Sequence, residues 1–81
     1  MGQYLPLYKW LVGQLKTVRH IPSTFKQIEG ILGFDLPPTA RKKSQWWENN
    51  SNRHSHAKAW LDAGYHTQEV DTIKETVAFS R

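Results

Sequence analysis

The chain contains no cysteine. That absence removes disulfide frameworks, cysteine-ligated zinc and thiol chemistry, and it fits a reducing cytosol. No apolar run approaches the roughly 18 residues that a membrane span needs. The start, Met1-Gly2-Gln3-Tyr4, lacks the charged-then-apolar shape of a secretory signal. A soluble, cytoplasmic protein is expected. Acidic residues are scarce, 7 against 11 Lys and Arg, and the net charge of +4 excludes an acidic mimic of nucleic acid. There are no internal repeats, low-complexity tracts or linkers, so residues 1–81 are expected to form a single domain. A glycine-rich phosphate loop, paired carboxylates and an activated nucleophile are all missing, so no enzymatic activity and no cofactor are expected.

What the chain does have is aromatic bulk. Four Trp, three Tyr and three Phe supply the buried area that 81 residues with 38% hydrophobic positions need for one modest core. Its charge is unevenly placed. Residues 1–35 carry a local +2 and residues 61–81 a local −2, whereas residues 36–60 set Arg41, Lys42, Lys43, Arg53 and Lys58 against Glu48 alone. The same stretch holds Asn49, Asn50, Asn52, His54, His56 and three of the four Trp. Cations, donors and aromatic rings together are the make-up of a polyanion-binding surface.

Periodicity predicts a first helix over about Pro6–Lys16, with Leu7, Tyr8, Leu11 and Leu15 on one face. Thr17 to Ile21 reads as a short extended piece ended by Pro22. A second helix starts at a capping box, Thr24-Phe25-Lys26-Gln27, and Gly33 supplies its left-handed stop. Gly30, inside that helix, suggests close approach of another helix. A third helix is expected from Pro38 to the Asn49-Asn50-Ser51-Asn52 run, with Leu36, Ala40, Ser44 and Trp47 facing inward. A short fourth helix over Ser55–Ala63 is capped by Ser55 and stopped by Gly64. Strands at Tyr65–Val70 and Thr76–Phe79 around a turn at Asp71–Glu75 then make a hairpin.

The expected class is therefore α+β: mainly helical, with a C-terminal hairpin, in a winged-helix or helix-turn-helix arrangement. Helix three would enter the major groove. Thr39 sits at its amino end, where free amides favour a phosphate. Arg41, Lys42 and Lys43 suit guanine edges or phosphate oxygens, and Gln45 and Asn49 suit adenine. Asn52, Arg53, His54, His56 and Lys58 would hold the backbone from the loop that follows. The acidic residues of the hairpin, Glu69, Asp71 and Glu75, argue against a deeply inserted wing.

Several of these residues have structural alternatives. Trp46 and Trp47 lie about 100° apart on a helix, so Trp47 is expected in the core and Trp46 over a seam, or else stacked on a base. Trp10 and Trp60 are assigned to the core. His56 is a phosphate contact or an internal hydrogen-bonding residue. Glu29 lies near the carboxyl end of helix two, where an ion pair with Arg41 would relieve it and would withdraw Arg41 from DNA. His54-Ser55-His56 has no matched ligand spacing, so no metal is expected.

Four strings, Thr24-Phe25-x-x-Ile28-Glu29-x-Ile31-Leu32-Gly33, Leu36-Pro37-x-x-Ala40-Arg41, Trp46-Trp47-x-Asn49 and Ala59-Trp60-Leu61-x-Ala63-Gly64-Tyr65, resemble a family of small uncharacterised bacterial and phage domains. The resemblance spans about Tyr4 to Phe79. It implies a compact domain of prokaryotic or phage origin and carries no activity with it. Two functions are open. The first is a double-stranded DNA-binding protein, a transcriptional or phage-defence regulator, as monomer or homodimer. The second is a protein-interaction module, an inhibitor or adaptor, for which the aromatic density and an exposed Trp46 would mark the partner surface.

Overall fold

Local signals dominate where they are strongest. In the computed structural model, which describes all 81 residues, α2 spans Phe25–Leu32 and both halves of its capping box are formed. Thr24 Oγ1 accepts from the Gln27 amide at 3.0 Å, and Gln27 Oε1 accepts from the Thr24 amide at 2.8 Å. Gly33 closes the helix at φ 84°, in the left-handed region. Phe25, Ile28 and Leu32 face inward.

The first helix, α1 (Leu5–Val12), is shorter than its apolar spacing suggests. It stops at Gly13, so Leu7 and Leu11 are buried while Leu15, expected on the same face, is largely exposed. The segment beyond is held by long-range bonds: Tyr65 Oη and Arg81 Nε both donate to the Val18 carbonyl at 2.9 Å. Trp10 is partly buried against the core. Gly30 is not explained by a close neighbour, because a Cβ built there would meet nothing within 4 Å.

The extended piece begins later than expected and runs through Pro22, as β1 (His20–Thr24). With β2 (His66–Asp71) and β3 (Thr76–Ser80) it forms an antiparallel sheet in the order β1-β3-β2. The hairpin is therefore two strands of a three-stranded sheet. Proline is tolerated because β1 is an edge. Arg81 N donates to Arg19 O and Phe25 N to Glu75 O, so the odd positions of this segment pair with β3. The even positions face the free edge. There Pro22 has no N–H and the Thr24 N–H is taken by Gln27, which blunts the edge against pairing with another chain.

The largest departure is in helix three. A helix, α3, covers only Pro38–Lys42, Lys43 is extended, and a 3₁₀ turn follows over Ser44–Trp47. Ser44 is consequently exposed, not inward-facing. A second 3₁₀ turn at Ser55–Ala57 leads directly into α4 (Lys58–Leu61), with no side-chain cap from Ser55. One cluster of 15 buried residues joins α1, α2, α4 and the inner face of the sheet, where Val77 and Phe79 point inward together. Trp47 and Trp60 lie at its centre, 5.9 Å apart and nearly parallel.

Candidate nucleic-acid interface

The twelve residues expected to contact DNA fall into two groups. Arg41, Trp46, Asn49 and His56 are committed within the protein. Arg41 donates through Nη1 to Glu75 at 2.6 Å and through Nη2 to Glu29. Glu29 also accepts from the Leu36 amide at 2.7 Å. Burial pushes the Glu29 carboxyl up, but the Leu36 amide and the Arg41 guanidinium outweigh it and hold it below its ordinary value. Donating to Glu75 and Glu29 in turn makes Arg41 hold its proton more tightly. The Glu29 pair was legible in the sequence. Glu75, 34 residues from Arg41, was not.

Asn49 is exposed, but both ends of its amide are already bonded within the protein, so it is not free as a base reader. Its Oδ1 accepts from the Trp60 indole at 3.0 Å and the Thr67 amide at 2.8 Å, while its Nδ2 donates to the Thr67 carbonyl at 3.0 Å. This two-way contact with Thr67 ties the loop to β2 much as a neighbouring strand would. Trp46 is buried, 8% exposed, and lies flat against His56 with ring centres 3.8 Å apart. His56 Nε2 lies 2.6 Å from the Trp46 carbonyl. A carbonyl only accepts, so Nε2 carries the proton in the neutral ring.

Burial is the main reason the His56 ring resists protonation; the Trp46 carbonyl opposes this and His54 adds to it. A histidine whose folded pKa lies below its unfolded value contributes stability that is complete above the ordinary 6.5 and is lost as the pH falls below it. We expect the melting temperature to drop on going from pH 7 to pH 5. In His56→Gln, whose amide keeps a donor for the Trp46 carbonyl, that drop should shrink. Equal drops in the two proteins would assign the acid sensitivity elsewhere.

Thr39, Lys42, Lys43, Gln45, Asn52, Arg53 and Lys58 form the second group, and all seven are exposed. His54 is intermediate, with Nε2 at 3.5 Å from Glu48 and no hydrogen bond. The ion pairs of the protein use Arg41, His20 and His54 and none of the four cations Lys42, Lys43, Arg53 and Lys58. Those cations sit on two segments, 39–45 and 52–58, and Trp46, directly after the first, stacks on His56 in the second and clamps them to each other. No group of three or more His, Asp or Glu side chains is placed to hold a metal ion, and no helix is long and apolar enough to cross a membrane.

Core and surface together define a small α+β domain with a tryptophan-centred interior and unpaired cations on its central segment. The double tryptophan builds that interior, and the exposed Asn49 ties the following loop to Thr67 and Trp60 at its edge. The chain belongs to the family described as Domain of unknown function (DUF7662), whose model matches residues 4–81. No curated protein and no solved structure matches it.

Proposed function

We propose that this domain is a cytoplasmic double-stranded DNA-binding protein of bacterial or phage origin, acting as a regulator. The carrying observation is the exposed set Lys42, Lys43, Arg53 and Lys58, free of ion pairs and held on two clamped segments. The topology adds partial support: the hairpin's inner strand pairs with a strand between the first two helices, as in a winged helix, although a fourth helix, α4, is inserted between helix three and the hairpin. Helix three makes less than two turns, so its exposed residues Thr39, Lys42 and Lys43, with Gln45 beyond, would meet the groove edge, not lie along its floor. Arg41 and Asn49, the best base readers in the sequence, are engaged internally. Binding is therefore dominated by phosphate contacts and discriminates weakly between sequences.

A salt titration with a labelled duplex tests this. Four phosphate contacts predict an affinity loss of about 150-fold between roughly 50 and 200 mM salt. The double variant Lys42→Glu, Lys43→Glu should bind roughly tenfold or more weakly and show about half the salt slope, with an unchanged melting temperature. A flat salt response, or no complex with any duplex, would sink the reading.

A second reading, a protein-interaction module, is favoured by one feature. The outer face of α1 leaves Leu5 and Val12 exposed beside Lys9, with Leu15 exposed just beyond the helix. No acidic residue occurs before Glu29. If duplexes fail to bind, that face becomes the first place to mutate.

A further inference from the structure

Two residues other than glycine have positive φ, and both are glutamates of the hairpin: Glu69 at 56° and Glu75 at 57°. Left-handed backbone is unfavourable for an L side chain because Cβ crowds the following carbonyl. At Glu75 the cost has a structural offset. Its carboxylate pairs with Arg41 at 2.6 Å and its carbonyl accepts from the Phe25 amide at 2.8 Å.

Glu69 has no such offset. The strands pair Gln68 with Ala78 and then Asp71 with Thr76, so Glu69 and Val70 together oppose Val77, and Glu69 is the first residue of a bulge where glycine is usual. Its side chain is 69% exposed, 3.8 Å from His20 Nε2, and accepts from Gln68 Nε2 at 3.0 Å. Exposed contacts of this kind contribute little to folding. Strain without a structural return is the pattern of a residue kept for what it binds.

What Glu69 borders is a cavity of about 300 Å³ on the outer side of the sheet, lined also by Pro22, Thr24, Gln27, Thr76 and Ala78. The register sets Pro22 beside Ala78 and Thr24 beside Thr76. Ala78 lies on this outer side yet is only 3% exposed, so it forms a floor and not a surface. The lining has one carboxylate, no cation and no aromatic ring. An anion is repelled there, and a quaternary ammonium finds no ring face to rest on. A primary ammonium fits: its charge and N–H donors meet Glu69 and the threonine hydroxyls, and its alkyl stem lies on Pro22 and Ala78.

We propose that this cavity binds a primary alkylammonium group, held by Glu69, supplied either by a free amine or by a lysine side chain. The proposal does not depend on DNA binding, and its test uses no nucleic acid. The ¹⁵N-labelled protein is titrated with n-butylammonium and with N-acetyl-lysine methylamide, against tetramethylammonium at equal ionic strength. The primary amines should give saturable shifts at the Glu69, Thr76 and Ala78 amides. Affinity should fall roughly tenfold in Glu69→Gln and Glu69→Gly, where the charge-assisted bonds are gone. Glu69→Gly should melt at the same temperature or higher, because glycine relaxes the bulge, which separates loss of the site from loss of the fold. Clearly tighter binding of the lysine amide than of n-butylammonium would name a polypeptide as the source, and equal or weaker binding a free amine. Identical shifts with tetramethylammonium, non-saturating shifts, or unchanged binding in both variants would overturn the proposal.

Discussion

Replacing Asn49 with leucine is expected to lower the melting temperature by about 15–30 °C. The side chain is similar in size, so the loss lies in hydrogen bonding. The Trp60 indole N–H, the Thr67 N–H and the Thr67 carbonyl would each lose a partner. Each buried group left unsatisfied costs about 1–3 kcal/mol, which for three groups is comparable with the whole stability of about 4–12 kcal/mol expected for a chain of this size. Asn49→Asp keeps the acceptor oxygen but sets a carboxylate against the Thr67 carbonyl, so an intermediate loss is expected. A thermal melt followed by far-ultraviolet circular dichroism reads both values. Amide exchange at Thr67 should speed up in parallel, since that amide donates to Asn49. A fall of under about 5 °C for the leucine variant would mean that water takes the place of the amide.

The contrast between α2 and helix three explains how much of this fold is readable along the chain. The capping box and Gly33 act over three or four residues, so the bounds of α2 follow from local chemistry alone. The hairpin strands follow from alternation and turn residues for the same reason. The break at Lys43 has a different origin. A continuous α-helix would point Trp46 and Trp47 about 100° apart and leave one of them outside. The extended Lys43 and the 3₁₀ turn instead bury both, and the Trp47 indole donates to the Ala40 carbonyl at 2.9 Å. In an unbroken helix that carbonyl would accept from the Ser44 amide. The demand comes from Phe25 and Trp60, 22 and 13 positions away from Trp47, and no local window contains it.

The candidate interface was legible to the same degree. Exposed cations are recognisable by composition, and Lys42, Lys43, Arg53 and Lys58 stand where a basic stretch predicts. Arg41, Asn49 and His56 look equivalent to them in sequence, yet each is claimed by a distant partner: Glu75, Thr67 and Trp46. Glu69 reads in the sequence only as one of the acidic residues of the hairpin. Its left-handed place in the bulge depends on a two-against-one mismatch between strands, which exists only once the register of β2 against β3 is set.

Trp47→Ala should be the most damaging single change, and Trp46→Ala the more informative. Trp47 is 1% exposed, stacked on Phe25 at 5.1 Å and on Trp60 at 5.9 Å. Truncating a buried tryptophan costs about 3–5 kcal/mol, and the Ala40 carbonyl loses its donor as well. The variant should have no cooperative melt, or one lowered by about 15–30 °C. Trp47→Phe keeps the stacking and loses only the indole donor, so it should fall well short of that. Trp46 lies at the rim, where solvent and His56 can fill part of the space it leaves, so Trp46→Ala should cost less and still fold. Its effect should appear on the surface. Without the Trp46–His56 stack, segments 39–45 and 52–58 keep only the His56 bond to the backbone carbonyl at position 46 and are held less firmly to each other, although every cation is intact. Duplex affinity should then fall while the net charge and the stability at assay temperature are preserved. Unchanged affinity in a folded Trp46→Ala variant would show that the cations act independently, and that the clamp serves the core alone.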